Sequence, residues 1–325
     1  MDQAIDGREL ITLNELGVLL RGTFHKPPGN ADSESRGNKP KPVGIVFLNS
    51  LSLPRAATGD SAVYWAESFA GCGYPSFRID LPGLGDTAGD IPAELLNFIN
   101  AGGYASIAGA KVKELVERFG LSGVVLVGHC AGTVSAIFAA AACREACTGL
   151  VLLDPYFHLP QAIRPMVRRG LSNWALRSSI GRMCSNLYDR TRNLRLRFRG
   201  SVPPRNANLP LLNRWRDVAS TGVPILIIKA PARKAAGTGP RVGEFDYLKH
   251  VLNLAGRKSQ VVVELVQGTD HSFANRVGRV GVQRYIEQWL GNYLPSRGDV
   301  QVNVLLKEAD GKKGYNHYHL DCLQP

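Results

Sequence analysis

Cys130 lies in Gly128-His129-Cys130-Ala131-Gly132, directly after the apolar run Val124–Val127 and before the small-residue segment Ala131–Ala142. A strand that ends at a nucleophile and turns at once into a helix leaves no room for side chains on either side. Glycines at 128 and 132 suit such a turn. A thiol there stands above the sheet, and the helix N-terminus favours its anion. A nucleophile of this kind needs a base, and the base needs an acid to orient it. His271 is the candidate base. It follows the apolar run VVVELV in Gly268-Thr269-Asp270-His271-Ser272-Phe273, just before the final helical pattern. His158, just past another strand end, is its rival. His129 is the variable residue of the turn and is read, with Asn49, as a substrate contact.

Three acids compete for the orienting role. Asp154 ends the apolar strand Gly149–Leu153 and precedes Pro155. Asp246 and Glu244 lie more than ten residues beyond the strand at Val223–Ile228, which runs into Lys229-Ala230-Pro231 with no acid. Asp154 is the cleaner candidate. A developing oxyanion needs two backbone N–H donors. Ala131, directly after the nucleophile, supplies one. Ser50 or Leu51, in the loop Asn49-Ser50-Leu51-Ser52 after the run Val43–Leu48, supplies the other. Asn49 shapes that turn.

The elements that must hold these residues alternate. Two strands, 9–13 and 17–25, open the chain, and the polar stretch 26–42 reads as an exposed loop. Strands follow at 43–48, 75–79, 124–127, 149–153, 223–228 and 261–266. Helices follow at 60–71 (with Asp60 as N-cap), 104–119, 131–142, 244–254 and 280–290. Such alternation gives an α/β fold with a mostly parallel sheet, helices on both faces and right-handed crossovers. Chemistry then collects beyond the carboxyl ends of the strands. The body comprises 1–155 and 223–295, with an inserted lid at 156–222 and an extension at 296–325.

Composition narrows the class. Hydrophobic residues make up 44% of the 325 and charged residues 20%, enough to build a core and too apolar for a disordered chain. No run reaches the length of a transmembrane helix, and the start lacks a signal-peptide pattern, so a cytoplasmic protein is expected. Six cysteines without a CxxC pair do not form a zinc ribbon or a disulfide framework. The net charge is +12, but residues 156–222 carry thirteen Arg and two acids, which is eleven of those twelve charges. Arg rather than Lys suits phosphate or carboxylate. Arg164 and Arg168 are therefore expected to receive an anionic handle on the substrate. Coenzyme A and an acidic carrier protein are the candidates. Nucleic acid is disfavoured, because no binding motif accompanies the arginines. No cofactor or metal is expected. His317 and His319 alternate with Tyr in the tail and fit an edge hairpin better than a metal site.

The GHCAG turn, the RIDLPGLGDT loop and GTDHSF together resemble the α/β-hydrolase superfamily, over roughly residues 40–155 and 220–292. GHCAG followed by GLVLLDPY resembles thioesterase domains of polyketide and nonribosomal peptide assembly lines. Those place the acid after this strand, which supports Asp154, and carry a lid where the Arg-rich segment lies. The N-terminal hairpin and GIVFLNS resemble bacterial esterases and exosortase-associated hydrolases. Most relatives have Ser where this chain has Cys130; dienelactone hydrolases and some assembly-line thioesterases have Cys. The resemblance implies an enzyme that processes an acyl thioester or activated ester through a Cys130 acyl-enzyme, by hydrolysis, cyclisation or transfer. A dienelactone-hydrolase-type esterase and a non-catalytic binding protein are the alternatives.

Overall fold

The computed structural model describes residues 7–28 (except 16), 40–159, 203–231 (except 205), 245–256 and 259–296. Arg164, Arg168, Glu244, most of the expected lid and the tail with His317 and His319 lie outside the described residues.

The described strands are β1 (Arg8–Glu15), β2 (Val18–His25), β3 (Val43–Leu48), β4 (Ser76–Ile79), β5 (Gly123–His129), β6 (Cys147–Leu153), β7 (Ile225–Lys229) and β8 (Val261–Leu265). They form one sheet in the order β1-β2-β4-β3-β5-β6-β7-β8. The hairpin β1–β2 joins β4 antiparallel, and every pair from β4 to β8 is parallel. The expected α/β class therefore holds. The chain goes outward from β3 to β4 and returns beside β3 as β5, so the sheet reverses its winding there. Loops leaving β3 and β5 diverge above that point and open a crevice, where ligands of such sheets bind.

The described helices are α1 (Ser61–Gly71), α2 (Leu95–Asn100), α3 (Ala105–Arg118), α4 (Ala131–Ala142), α5 (Leu209–Ala219), α6 (Tyr247–Ala255) and α7 (Arg276–Tyr293). They cover both faces, so the central strands are apolar throughout rather than alternating. β5 is buried along its whole length. Its Val124 and Leu126 join the core on the α3–α4–α5 side, and Val125 and Val127 join the core on the α1–α7 side. This is the period of two of a strand.

The bounds of the expected lid are corrected here. Residues 206–222 belong to the body, not to a lid: α5 is the crossover helix between β6 and β7, with Leu211 and Trp215 wholly buried. Its spacing of apolar residues was concealed in sequence by the surrounding arginines. The two ends of the insertion meet, through a bridge between His158 and Ala207 and a bond from Leu159 N–H to Asn206 O (2.6 Å). Asp60 occupies the N-cap position of α1, but its backbone has φ 56° and its side chain makes no capping bond. No helix among the described residues is long and apolar enough to cross a membrane.

Candidate active site

Cys130 is the residue between β5 and α4, with φ 51° and ψ −118°. A non-glycine residue held at such a φ carries strain that the surroundings must overcome. Here the Cys130 N–H donates to Leu153 O on the neighbouring strand (3.0 Å). Its carbonyl accepts from Thr133 N–H (3.0 Å) and from the Thr133 hydroxyl (2.6 Å). A Cβ at Gly128 would stand 2.3 Å from Gly132 O, and one at Gly132 would stand 2.6 Å from Asn49 O. Neither distance is compatible with a side chain. The second also shows how closely the loop after β3 approaches the start of α4.

Five other non-glycine residues among those described have positive φ: Leu51, Ala57, Asp60, Asp154 and Phe273. All lie in loops beyond the carboxyl ends of β3, β6 and β8. Strain is thus collected at one edge of the sheet, as it is at functional sites.

His271 lies in the loop between β8 and α7. The Asp270 carboxylate accepts from Ser272 N–H (2.9 Å) and the Ser272 hydroxyl (2.5 Å), which tightens this loop. Phe273, fully buried, anchors it against the α1–α7 core. The imidazole Nδ1 bonds to Asp154 Oδ2, and the Cys130 side chain is close enough to the ring to raise its pKa. The structure therefore brings Cys130, His271 and Asp154 into one chain. The bond to Asp154 and then the nearby Cys130 side chain push the His271 pKa up to about 10, against the opposing effect of burial. Burial alone would raise the Asp154 carboxyl; bonds from His271 and from Lys229 more than offset this and hold it low. Asp154 itself is fixed by its N–H, which donates to Ile228 O on β7 (2.7 Å).

The rival acid Asp246 is committed elsewhere. It caps α6, accepting from Lys249 N–H at 2.9 Å. His158 lies on the cavity wall, tilted between Tyr156 and Tyr247 with ring centroids 5.6 Å from each. His129 and Asn49, expected among the substrate contacts, are instead tied into the protein. His129 is 9% exposed, and its Nε2–H donates to the His271 carbonyl (2.6 Å). Burial keeps its pKa low, so it is neutral. Its part is to pin the loop that carries His271.

Asn49 spends its side chain on the loop after β3. Its amide donates to Asp80 Oδ1 (2.8 Å) and Leu53 O (3.0 Å), and its Oδ1 accepts from Leu81 N–H (2.7 Å). Asp80, with no exposed surface, also receives the Arg55 N–H (2.7 Å) and the Arg55 guanidinium (2.5 Å). This buried ion pair holds the turn containing Ser50 and Leu51 against the start of α4. Ala131 is the first residue of α4, where an N–H has no acceptor within the helix. Removing one partner of a buried, multiply bonded pair leaves an uncompensated charge. Asp80→Ala is expected to cost about 3–5 kcal/mol of stability, read from urea unfolding. A cost below about 1 kcal/mol would show that the pair is dispensable.

Asp154 and His271 line a cavity of about 280 Å³, with Tyr156, His158, Lys229 and Tyr247 among its other walls. A larger one, about 520 Å³, lies between the end of β8 and α7 and contains none of them. Chemistry favours the smaller as the site. Lys229 was visible in sequence only as the absence of an acid after β7. Nothing in the spacing marked it as a partner of Asp154.

The fold has counterparts among solved structures. DcsB in complex with its substrate analogue superposes with a TM-score of 0.54 at 16% identity, covering 88% of this chain and all of that one. An esterase of Pyrococcus furiosus gives 0.51 at 13%, covering 88% and 91%. A Xanthomonas campestris α/β serine hydrolase described as without lid gives 0.51 at 14%, covering 90% and 97%. At these identities the likeness is one of fold. A search of curated proteins found no match. The model of the alpha/beta hydrolase family matches residues 45–292, most of the chain, and the protein belongs to that family.

Proposed function

We propose that this hydrolase works through a Cys130 acyl-enzyme, with His271 as base and acid and Asp154 as the orienting carboxylate. The observation that carries the reading is the continuous chain from the Cys130 sulfur through His271 to Asp154, at a strained strand-to-helix turn. His271, with its pKa up to about 10, rests protonated at neutral pH. The sulfur beside it then attacks as a thiolate, the nucleophilic form.

The thiolate adds to the carbonyl carbon of a thioester or activated ester, and the carbonyl electrons move to oxygen. The N–H groups of Ala131 and of Ser50 or Leu51 receive that oxyanion. The intermediate collapses, the carbon–sulfur or carbon–oxygen bond to the leaving group breaks, and His271 delivers its proton to that group. Water, or an alcohol or amine, then gives its proton to neutral His271 and attacks the Cys130 thioester, which frees the thiolate. A thiolate suits thioesters and activated esters and is poorly matched to amides. The arginines of the insertion, Arg164 and Arg168 among them, would receive a phosphate or carboxylate on coenzyme A or an acidic carrier protein.

Intact-protein mass spectrometry after brief exposure to a panel of acyl thioesters, esters and lactones tests this. An acyl mass increment on the peptide containing Cys130 is expected. Absence of any adduct, together with undiminished turnover in Cys130→Ala, would overturn the reading.

A further inference from the structure

The end of β7, where an acid was sought, holds a lysine that points at the acid. Asp154 continues β6 and Lys229 ends β7, and the two strands pair with Leu153 opposite Ile228. Leu150 and Leu152 face the same core as Ile225 and Ile227. By the period of two, Asp154 and Lys229 are the next residues on that same face. Both backbones are held: Asp154 N–H donates to Ile228 O (2.7 Å), and Lys229 O accepts from Val266 N–H on the far side (3.0 Å). The Lys229 ammonium is ion-paired with Asp154 Oδ1, while His271 uses Oδ2. It also donates to Pro155 O at 3.4 Å. The side chains of Lys229 and Asp154 are 30% and 15% exposed, so water does not fully screen the pair.

We propose that Lys229 is a positioning residue, the fourth member of the chain Cys130–His271–Asp154–Lys229, which fixes the plane of the Asp154 carboxylate and tempers its charge. The inference rests on the catalytic reading given above. A carboxylate with one partner can rotate and offer either oxygen. With a partner on each oxygen its plane is set, and so is the direction in which His271 faces the sulfur. The ammonium also offsets part of the carboxylate charge felt by His271. Without it His271 holds its proton more tightly. The release of that proton to the leaving group becomes harder, and in the acyl-enzyme less of the imidazole is in the neutral form that accepts the proton of the attacking water, alcohol or amine. The other titratable groups around the pair are Cys130, Tyr156, His158 and Tyr247 on the cavity side and His129 and Asp270 behind His271. All remain unchanged in the test.

The test uses the full chain with Lys229→Met, which keeps the stem and removes the charge, and Lys229→Arg, which keeps a cation. Turnover of an acyl thioester is followed from pH 5 to 10, alongside thermal unfolding and the pKa of His271 by NMR. Lys229→Met is expected to lower kcat about 10–100-fold, the scale seen for outer partners that orient metal-bound histidines, with KM changed less than about threefold. The His271 pKa and the rising limb of the deacylation profile should move to higher pH. Lys229→Arg should recover most of kcat. Wild-type kcat and pH profile in Lys229→Met would overturn the proposal. So would a rise in KM alone, which would mark a substrate contact, or an equal loss in both variants with matching loss of stability, which would mark a structural role. Cys130→Ala separates the two levels. If it keeps full turnover, the catalytic reading itself fails; if it is inactive while Lys229→Met behaves as wild type, only the role of Lys229 fails.

Discussion

Cys130→Ala is expected to lower kcat by a factor on the order of 10⁴–10⁶ while leaving the fold intact. Removing the nucleophile of a triad costs this much because its members act as a unit. What remains comes from binding and the oxyanion donors. The stability cost is small. Alanine fits wherever cysteine fits at this turn, and Cys130 is half-buried, so unfolding free energy should change by less than about 1 kcal/mol. Cys130→Ser is the more informative partner. A serine hydroxyl is a far weaker acid than a thiol, so its attack depends on deprotonation by a neutral imidazole. The serine variant should therefore retain a fraction of the activity that increases as pH rises. Steady-state kinetics on one thioester and one ester, with circular dichroism as the check on folding, measures both. A Cys130→Ala variant within tenfold of wild type would remove the sulfur from the mechanism.

Asp154→Asn is the second large effect, expected at about 10²–10⁴-fold in kcat, the upper figure being the loss when an amide replaces the orienting carboxylate of a serine-protease triad. The amide nearly matches the carboxylate in shape, so the difference is charge and the histidine tautomer it selects. The pH dependence fixes the sign. The Asp154 bond is the foremost cause of the raised His271 pKa of about 10. Without the carboxylate charge that pKa falls toward the ordinary value of about 6.5. Imidazolium then disappears at lower pH, so acylation in the variant should decline above about pH 7, where the wild type holds its rate. The same linkage governs stability. A raised folded-state pKa contributes stability that is complete below about pH 6.5 and is lost as pH climbs through about 10. Comparing unfolding free energies at pH 6 and pH 10 should show a smaller difference in Asp154→Asn than in the wild type. Equal pH profiles in both proteins would mean that Asp154 does not set the state of His271.

Much of the body was legible because helix and strand periods are local properties. Val43–Leu48 and Ala131–Ala142 were read with the bounds the structure has, since a buried parallel strand and a helix of small residues leave unmistakable runs. α2 went unread because six residues carry too little periodicity. α5 was misplaced in a lid because its arginines concealed the stripe of Leu211, Leu212, Trp215 and Val218 that packs on the core. Cys130, His271 and Asp154 could be nominated singly, each from the strand it follows. Asn49 shapes its turn as read, but the bonds that tie His129 to the His271 loop were not legible, because a polar residue beside a nucleophile looks the same in sequence whether it meets substrate or backbone.

The sequence by itself determined the alternation of elements, hence the sheet, the edge at which its chemistry gathers and the turn that carries Cys130. Two glycines around a cysteine after an apolar strand admit few other structures. Only the tertiary structure decided which acid meets His271, what pins the loops of Ser50 and His271, and that Lys229 shares Asp154 with the imidazole. Those are contacts between residues 25 to 142 positions apart, set by strand order, register and the packing of loops above the sheet. Spacing along the chain carries no record of which strands become neighbours. That order follows from burying both faces of the sheet at once.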